Sequence, residues 1–173
     1  MTMTEQNDVA VGYTIALEAC SESLAEVETL YKQHYLEMCR RLEAEGLEVS
    51  VYNPRYDEYI RANEHGWLLH FVLRCDGEAV GYSNVYLTND MHNGDLIARE
   101  DAIYVTPKHR HGIGKKMMKH IQSHLRARGV KRINITTSTD LRVSLLLRRM
   151  GYRATAFAMT LDLHQQENSN VRT

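Results

Sequence analysis

The stretch "VTPKHRHGIGKKMMKH", residues 105–120, holds two glycines one residue apart, between an apolar run and a basic, Met-rich segment. Met117, Met118, Ile121 and Leu125 recur at helical spacing, which predicts a helix over 112–129. Upstream, "DLIAREDAIYV" (95–105) reads as a long strand. Glycines between a strand and a helix leave bare backbone at the helix N-terminus. Unpaired N–H groups and about half a positive charge attract an anion there, phosphate foremost. Two familiar phosphate cradles do not fit. A P-loop needs a glycine where His109 stands and Ser or Thr where Lys116 stands. A dinucleotide fingerprint needs a third glycine at Met117.

Outward from this stretch the chain alternates strands and helices. "VGYTIALE" (11–18) alternates like a strand. Leu24, Val27, Tyr31, Tyr35, Met38 and Leu42 then mark a helix, with Ser23 and Glu26 as a capping box and Gly46 as its end. A second helix is expected after Asn53 and Pro54, stopping at Gly66. "WLLHFVLRC" and "EAVGYSNVYL" form a hairpin around Asp76-Gly77. Past residue 129, "RINITT" is a strand, "DLRVSLLLRRMG" a helix, and "YRATAFAMTLDL" supplies one or two closing strands. The order is β-α-α-β-β-β-α-β-α-β: a mixed sheet with helices on its faces.

The 173 residues suit one domain, spanning 1–163, with a polar tail over 164–173. Apolar and charged fractions of 43% and 25% are those of an ordinary soluble protein. The polar start lacks a signal-peptide pattern, and no run approaches the roughly 20 apolar residues of a membrane span. Three cysteines without paired spacing fit a reducing, cytoplasmic setting. Charge is sorted along the chain. Residues 1–101 hold 7 Lys+Arg and 19 Asp+Glu, whereas residues 102–173 hold 14 and 3. Such asymmetry fits an anionic ligand on the basic side or, equally, a solvated helix face.

The motif's place in this order resembles the GNAT superfamily of N-acetyltransferases, whose members use acetyl-CoA. Their signature, Arg/Gln-x-x-Gly-x-Gly/Ala after a strand ending Val-x-Pro, is matched by Val105, Pro107, Gly112 and Gly114. "LLLRRMGY" (145–152) is similar to the segment in which the family's second landmark helix ends. The likeness covers roughly residues 10–163. "NPRYDEYIRA" and "DLIAREDAIYVTPKHR" further resemble acetyltransferases often encoded by bacteriophages.

The resemblance implies an α/β (α+β) fold, a mixed, mostly antiparallel sheet of six to seven strands with about four helices on its faces. It implies a fourth strand splayed from the fifth, with pantetheine bonding backbone at Ile103, Tyr104 and Val105. Backbone N–H groups of His109, Arg110, His111, Gly112, Ile113, Gly114 and Lys115 would hold the pyrophosphate. Lys108, Arg110, Lys115 and Lys116 would add attraction. Asp140 stands at the family's usual Asn. The loop departs from the pattern, with His109 at the Arg/Gln position counted from Gly112. The family's usual Tyr acid is Leu147, and Tyr152 falls at a Phe position, a core role. A thiolate of pKa near 8.5 leaves without an acid.

An amine acceptor of pKa ~10.4 must lose a proton before it attacks. Alternation puts Arg99, Asp101, Ile103 and Val105 on one strand face, and Glu100 on the other unless a bulge re-aims it. Asp101 leads as the base, ahead of Glu100 and His92, although an end-of-strand Asp can equally cap a loop. A backbone N–H of the strand would stabilise the developing oxyanion. His120 and His124 have the i, i+4 spacing of metal ligands but no companion ligand, so no metal is expected. Tyr31, Tyr35, Tyr52, Tyr56 and Tyr59 fit either a cleft lining or core packing.

The leading reading is an acetyl-CoA-dependent transferase acting on a primary amine by direct attack in a ternary complex. One alternative is an acetyl-CoA-binding domain with a regulatory or structural role. Another is a nucleic-acid binder using the basic stretch 108–132, which has few aromatics for stacking. The acidic N-terminal half points to a cationic acceptor: a polyamine, a lysine side chain, a basic N-terminus or an aminoglycoside. A homodimer is compatible with each of these.

Overall fold

In a computed structural model, which describes residues 12–136, 141–156 and 158–161, strand β1 (Tyr13–Leu17) leads into the long helix α1 (Cys20–Ala44) and the short α2 (Tyr56–Glu64). The anticipated capping box is absent. Ser23 lies inside the first turn and donates to the Ala19 carbonyl at 2.9 Å, while Glu26 turns to Arg74. Gly46 does close α1: its N–H reaches Glu43 O, and that of Leu47 reaches Leu42 O. Helix α2 starts later than expected, with Arg55 as its cap, and Asn53 and Pro54 remain outside it. Gly66 follows its end as expected.

Strands β2 (Leu68–Cys75) and β3 (Glu78–Asn89) form the expected hairpin. Asp76 and Gly77 have φ of 49° and 91°, so both central residues are left-handed, as a two-residue type I′ turn requires. Leu68 to Leu73 are buried without alternation, because helices cover both faces of β2. Strand β4 (Leu96–Val105) follows, then a 3-10 turn (Pro107–His109) and α3 (Ile113–Ala127). Strand β5 (Arg132–Asn134) and α4 (Leu141–Arg149) complete the regular elements among the described residues.

The sheet order is β1-β2-β3-β4-β5, antiparallel except for the parallel β4–β5 pair. On one face, α3 packs Ile113, Met117, Ile121 and Leu125 onto Phe71, Leu73, Val85 and Ala98. On the other, α1 packs Leu24, Val27, Leu30 and Tyr31 onto Leu68, Val72, Tyr82 and Tyr104, with α2 alongside. The chain thus has a mixed α+β architecture, with four α-helices among the described residues.

Six to seven strands were expected, and five form among the described residues. The described part of "YRATAFAMTLDL" adds no strand. Edge strand β5 offers only three residues as a template, and the apolar side chains beyond it stay in water: Met159 is 94% exposed. The tail at 164–173 lies outside the described residues. Among those described, no helix is long and apolar enough to cross a membrane.

Candidate functional site

The β3–β4 ladder slips at one place. Asn84 pairs with Ala102 but Val85 pairs with Glu100, so Asp101 is an extra residue in β4. This bulge breaks the alternation expected for the strand. Residues opposite each other in the ladder share a face. Glu100 therefore lies with Val85 on the α3 side, and Ala102 with Asn84 on the α1 side. Asp101 also faces α1 and α2, where Tyr59 Oη donates to its Oδ2 at 2.8 Å. Ile103 and Val105, expected to share a face with Asp101, pack instead into the α3 core. Adjacent carboxylates thus serve opposite faces of the sheet.

Burial, helped by the neighbouring Asp101 carboxylate, pushes the Glu100 carboxyl up to about 7. In the unfolded chain it would ionise near 4.5. Between those values the folded state holds the extra proton, so stability falls as pH rises through the window. Glu100→Gln should match wild type near pH 4 and exceed it by up to about 3 kcal/mol at pH 8, at ~1.4 kcal/mol per pH unit. Thermal melts at the two pH values check this.

The parallel β4–β5 ladder runs from Ile97↔Arg132 to Arg99↔Asn134 and stops there, one residue before Glu100. Among the described residues, no strand pairs with β4 on its β5 side past Arg99.

On the α1 side of the bulge is a cleft of about 680 Å³, with Asp101 in its wall. Tyr31, Tyr52, Tyr59, Tyr82 and Tyr86 line it. Tyr31 stacks on Tyr82 at 4.0 Å between ring centres, with Tyr56 and Tyr59 edge-on to Tyr31. Burial raises the hydroxyl pKa of Tyr31, Tyr59 and Tyr82, so each stays protonated. His34, bonded to Tyr82 Oη at 2.9 Å, is pushed down by burial and stays neutral at pH 7. Tyr82, Asn84 and Tyr86 were not singled out from the sequence. Their period-two spacing on β3 was the signal that could have shown a polar, aromatic face.

Asn84, fully buried, connects this cleft to the core. Its Nδ2 donates to Tyr31 Oη at 2.7 Å and its Oδ1 bonds His70 Nδ1 at 2.8 Å. Asn84→Ala would orphan two buried polar partners at about 1–3 kcal/mol each, so we expect a loss of ~2–5 kcal/mol by urea denaturation.

The loop after β4 is the second half of the site. Gly112, at φ 81°, is the N-cap of α3 and places no side chain on the first turn. Among the described residues, the amides of Ile113, Gly114 and Lys115 have no backbone partner. A Cβ built on Gly112 or Gly114 would meet no protein atom within 4 Å. The space beside this bare backbone is open, and Lys115 and Lys116 are exposed next to it. The N–H of Gly112 itself is held by Arg110 O at 2.7 Å and that of His109 by Thr106 O at 2.9 Å, so these two expected donors are already engaged.

Other expected cofactor residues are turned elsewhere. Arg110 forks onto Glu37 of α1 at 2.8 and 2.9 Å, and its Nε donates to Val105 O. It joins β4 to α1 and does not face the amide cradle. The His109 ring bonds Tyr13 Oη at 2.8 Å. The Ile113 and Val105 side chains are core, Tyr104 is buried against α1, and His111 is exposed. Asp140 lies outside the described residues. His92 is exposed in the β3–β4 turn, where its N–H caps Asp90, and it does not line the cleft. Leu147 is buried, and Tyr152 is half-buried, its hydroxyl accepting from Gln122 at 2.9 Å. His120 and His124 both lie edge-on to Phe71.

A model of the acetyltransferase (GNAT) family matches residues 24–152. No curated protein sequence matches the chain. Many solved structures do. A tetramutant of the BH1408 protein from Bacillus halodurans aligns with a TM-score of 0.73 at 16% identity, covering 87% of this chain and 99% of its own. An aminoglycoside acetyltransferase from an uncultured soil metagenomic sample aligns at 0.68 and 18%, covering 88% and 99%. A ribosomal-protein-alanine N-acetyltransferase from Brucella melitensis biovar Abortus 2308 aligns at 0.63 and 16%, covering 87% and 98%. At such identities these likenesses speak for the fold.

Proposed function

Since the chain belongs to the acetyltransferase (GNAT) family, we propose that it transfers the acetyl group of acetyl-CoA to a primary amine by direct attack in a ternary complex. The observation that carries this reading is the bulge at Asp101. At that one residue the β3–β4 register slips, and a carboxylate enters the tyrosine cleft. Val105, at the end of the same strand, leads directly into the amide cradle of α3.

The residues present fit acetyl-CoA. The amides of Ile113, Gly114 and Lys115 and the positive end of α3 would hold its pyrophosphate, with Lys115 and Lys116 adding charge. The open edge of β4 offers backbone groups to the pantetheine amides. Bound acetyl-CoA supplies an acetyl thioester, whose C–S bond breaks as the amine's N–C bond forms.

Asp101 receives the acceptor as an ammonium ion and takes its proton, directly or through a water. Tyr59 holds Oδ2 and fixes the carboxylate, leaving Oδ1 for the amine. Leu147 offers no proton, and none is required, because a thiolate of pKa near 8.5 leaves unassisted. The three free thiols suit a reducing, cytoplasmic setting.

A second reading makes Glu100 the base, because burial brings its pKa to about 7, the best poise at neutral pH. Under it, kcat/KM should climb tenfold per pH unit up to about pH 7, and Glu100→Gln should abolish that limb. A limb that survives in Glu100→Gln leaves Asp101 as the base. The reaction itself is tested by free-CoA release over a panel of amines, polyamines, aminoglycosides and peptides. Tight acetyl-CoA binding with no release on any of them would favour a binding module.

A further inference from the structure

The charge sorting in the sequence suggested an acidic, field-focusing acceptor mouth, but much of that acid is paired. Glu18 and Glu26 both hold Arg74, Glu37 holds Arg110, and Glu28 pairs with Lys32. In the cleft wall the acids are Asp101 and Glu58, and Glu58 is bonded to Arg55 at 2.8 Å. Arg55, the only Lys or Arg among the described residues of that wall, is paired with Glu58 and Asp57. One carboxylate therefore remains for an ammonium ion, and no cation remains for an anion.

Except for Tyr86, the tyrosine hydroxyls around the cleft are also engaged within the protein. Tyr31 Oη takes Asn84, Tyr82 Oη bonds His34, and Tyr59 Oη goes to Asp101. Tyr52 and Tyr56 bond each other at 2.7 Å, and Tyr35 donates to Ser50 O. What the cleft presents to a guest is mostly ring faces and edges, with Asn53 and the Tyr86 hydroxyl as polar groups. Aromatic walls favour an apolar, flat body and attract a cation through their negative faces. A polyhydroxylated sugar amine would find few free partners here, and a polyamine would lack a carboxylate for its second charge. The volume is within the usual 300–1,000 Å³ of small-molecule sites.

We infer that the acceptor is a primary amine on an apolar ring, an arylalkylamine, bound with its ammonium at Asp101 and its ring among Tyr31, Tyr52, Tyr82 and Tyr86. This rests on the transferase reading for turnover but not for binding, so the two are measured apart. Calorimetry on the full chain should show phenethylamine binding at least tenfold tighter than phenethyl alcohol, spermidine or glucosamine. Asp101→Asn should erase the preference over the alcohol, and Tyr52→Leu should weaken both ring-bearing probes. Phenethyl alcohol binding as well as phenethylamine in the wild type, or spermidine or glucosamine binding as tightly, would overturn the inference. CoA release is then measured with the same probes. Phenethylamine that binds without CoA release rejects transfer while keeping the cleft's specificity. CoA release that is fastest with spermidine or glucosamine keeps transfer and rejects the arylalkylamine.

Discussion

Asp101→Asn should lower kcat with an amine substrate by about 10²–10⁴-fold, the contribution of a positioned proton acceptor. The amide has the shape of the carboxylate and retains an oxygen for the Tyr59 hydroxyl. It can neither hold an ammonium ion by charge nor accept its proton. Asp101 sits at the surface of the cleft and carries no buried ion pair, so the fold should tolerate the change. Calorimetric affinity for acetyl-CoA should stay within about twofold, because the amide cradle belongs to a different element. Tyr59→Phe removes only the fixing hydrogen bond and should cost about fivefold in kcat, a net ~1 kcal/mol. Equal losses of rate and of cofactor affinity in Asp101→Asn would mean that the residue shapes the strand and does not act on the amine.

Gly114→Val should raise the dissociation constant of acetyl-CoA at least 100-fold and leave the melting temperature within a few degrees of wild type. Gly114 lies in the first turn of α3 without the left-handed backbone of Gly112, so a side chain fits its conformation. The added branches project where no protein atom lies, and that empty space is what a phosphate needs. Gly112→Val is the less informative change. At φ 81° any side chain costs ~1–2 kcal/mol of backbone strain, so fold and binding would fall together. An unchanged affinity in folded Gly114→Val would move the cofactor away from this loop.

The parts of the fold that depend on local pattern were legible. The glycine pair and its flanking periods marked strand β4, the loop and helix α3. The Asp76-Gly77 dipeptide marked the hairpin. What escaped depends on partners distant in sequence. Alternation along "AREDAIYV" cannot show a bulge, because the extra residue exists only relative to β3. Arg110 was expected to add attraction toward the phosphates, yet its guanidinium goes to Glu37, 73 positions away, which no local spacing encodes. In the described part of "YRATAFAMTLDL" the closing strands did not form for a similar reason: the segment has strand composition but only a three-residue edge beside it. Tyr31 and Tyr59 were undecided between core and cleft, and they do both. Their rings pack against Tyr82 or each other while their edges border the opening.

The bulge means that part of this site is stored as a residue count and not as a residue type. A substitution at position 101 changes one side chain and leaves the strand's phase intact. Deleting the position would restore strict alternation between Glu100 and Ala102, withdraw the carboxylate from the tyrosines, and let β3 and β4 pair without interruption. Insertions and deletions of one residue in β4 are thus graver lesions than any point change there. Homologous strands aligned by letters alone, without allowance for this gap, would match the wrong faces.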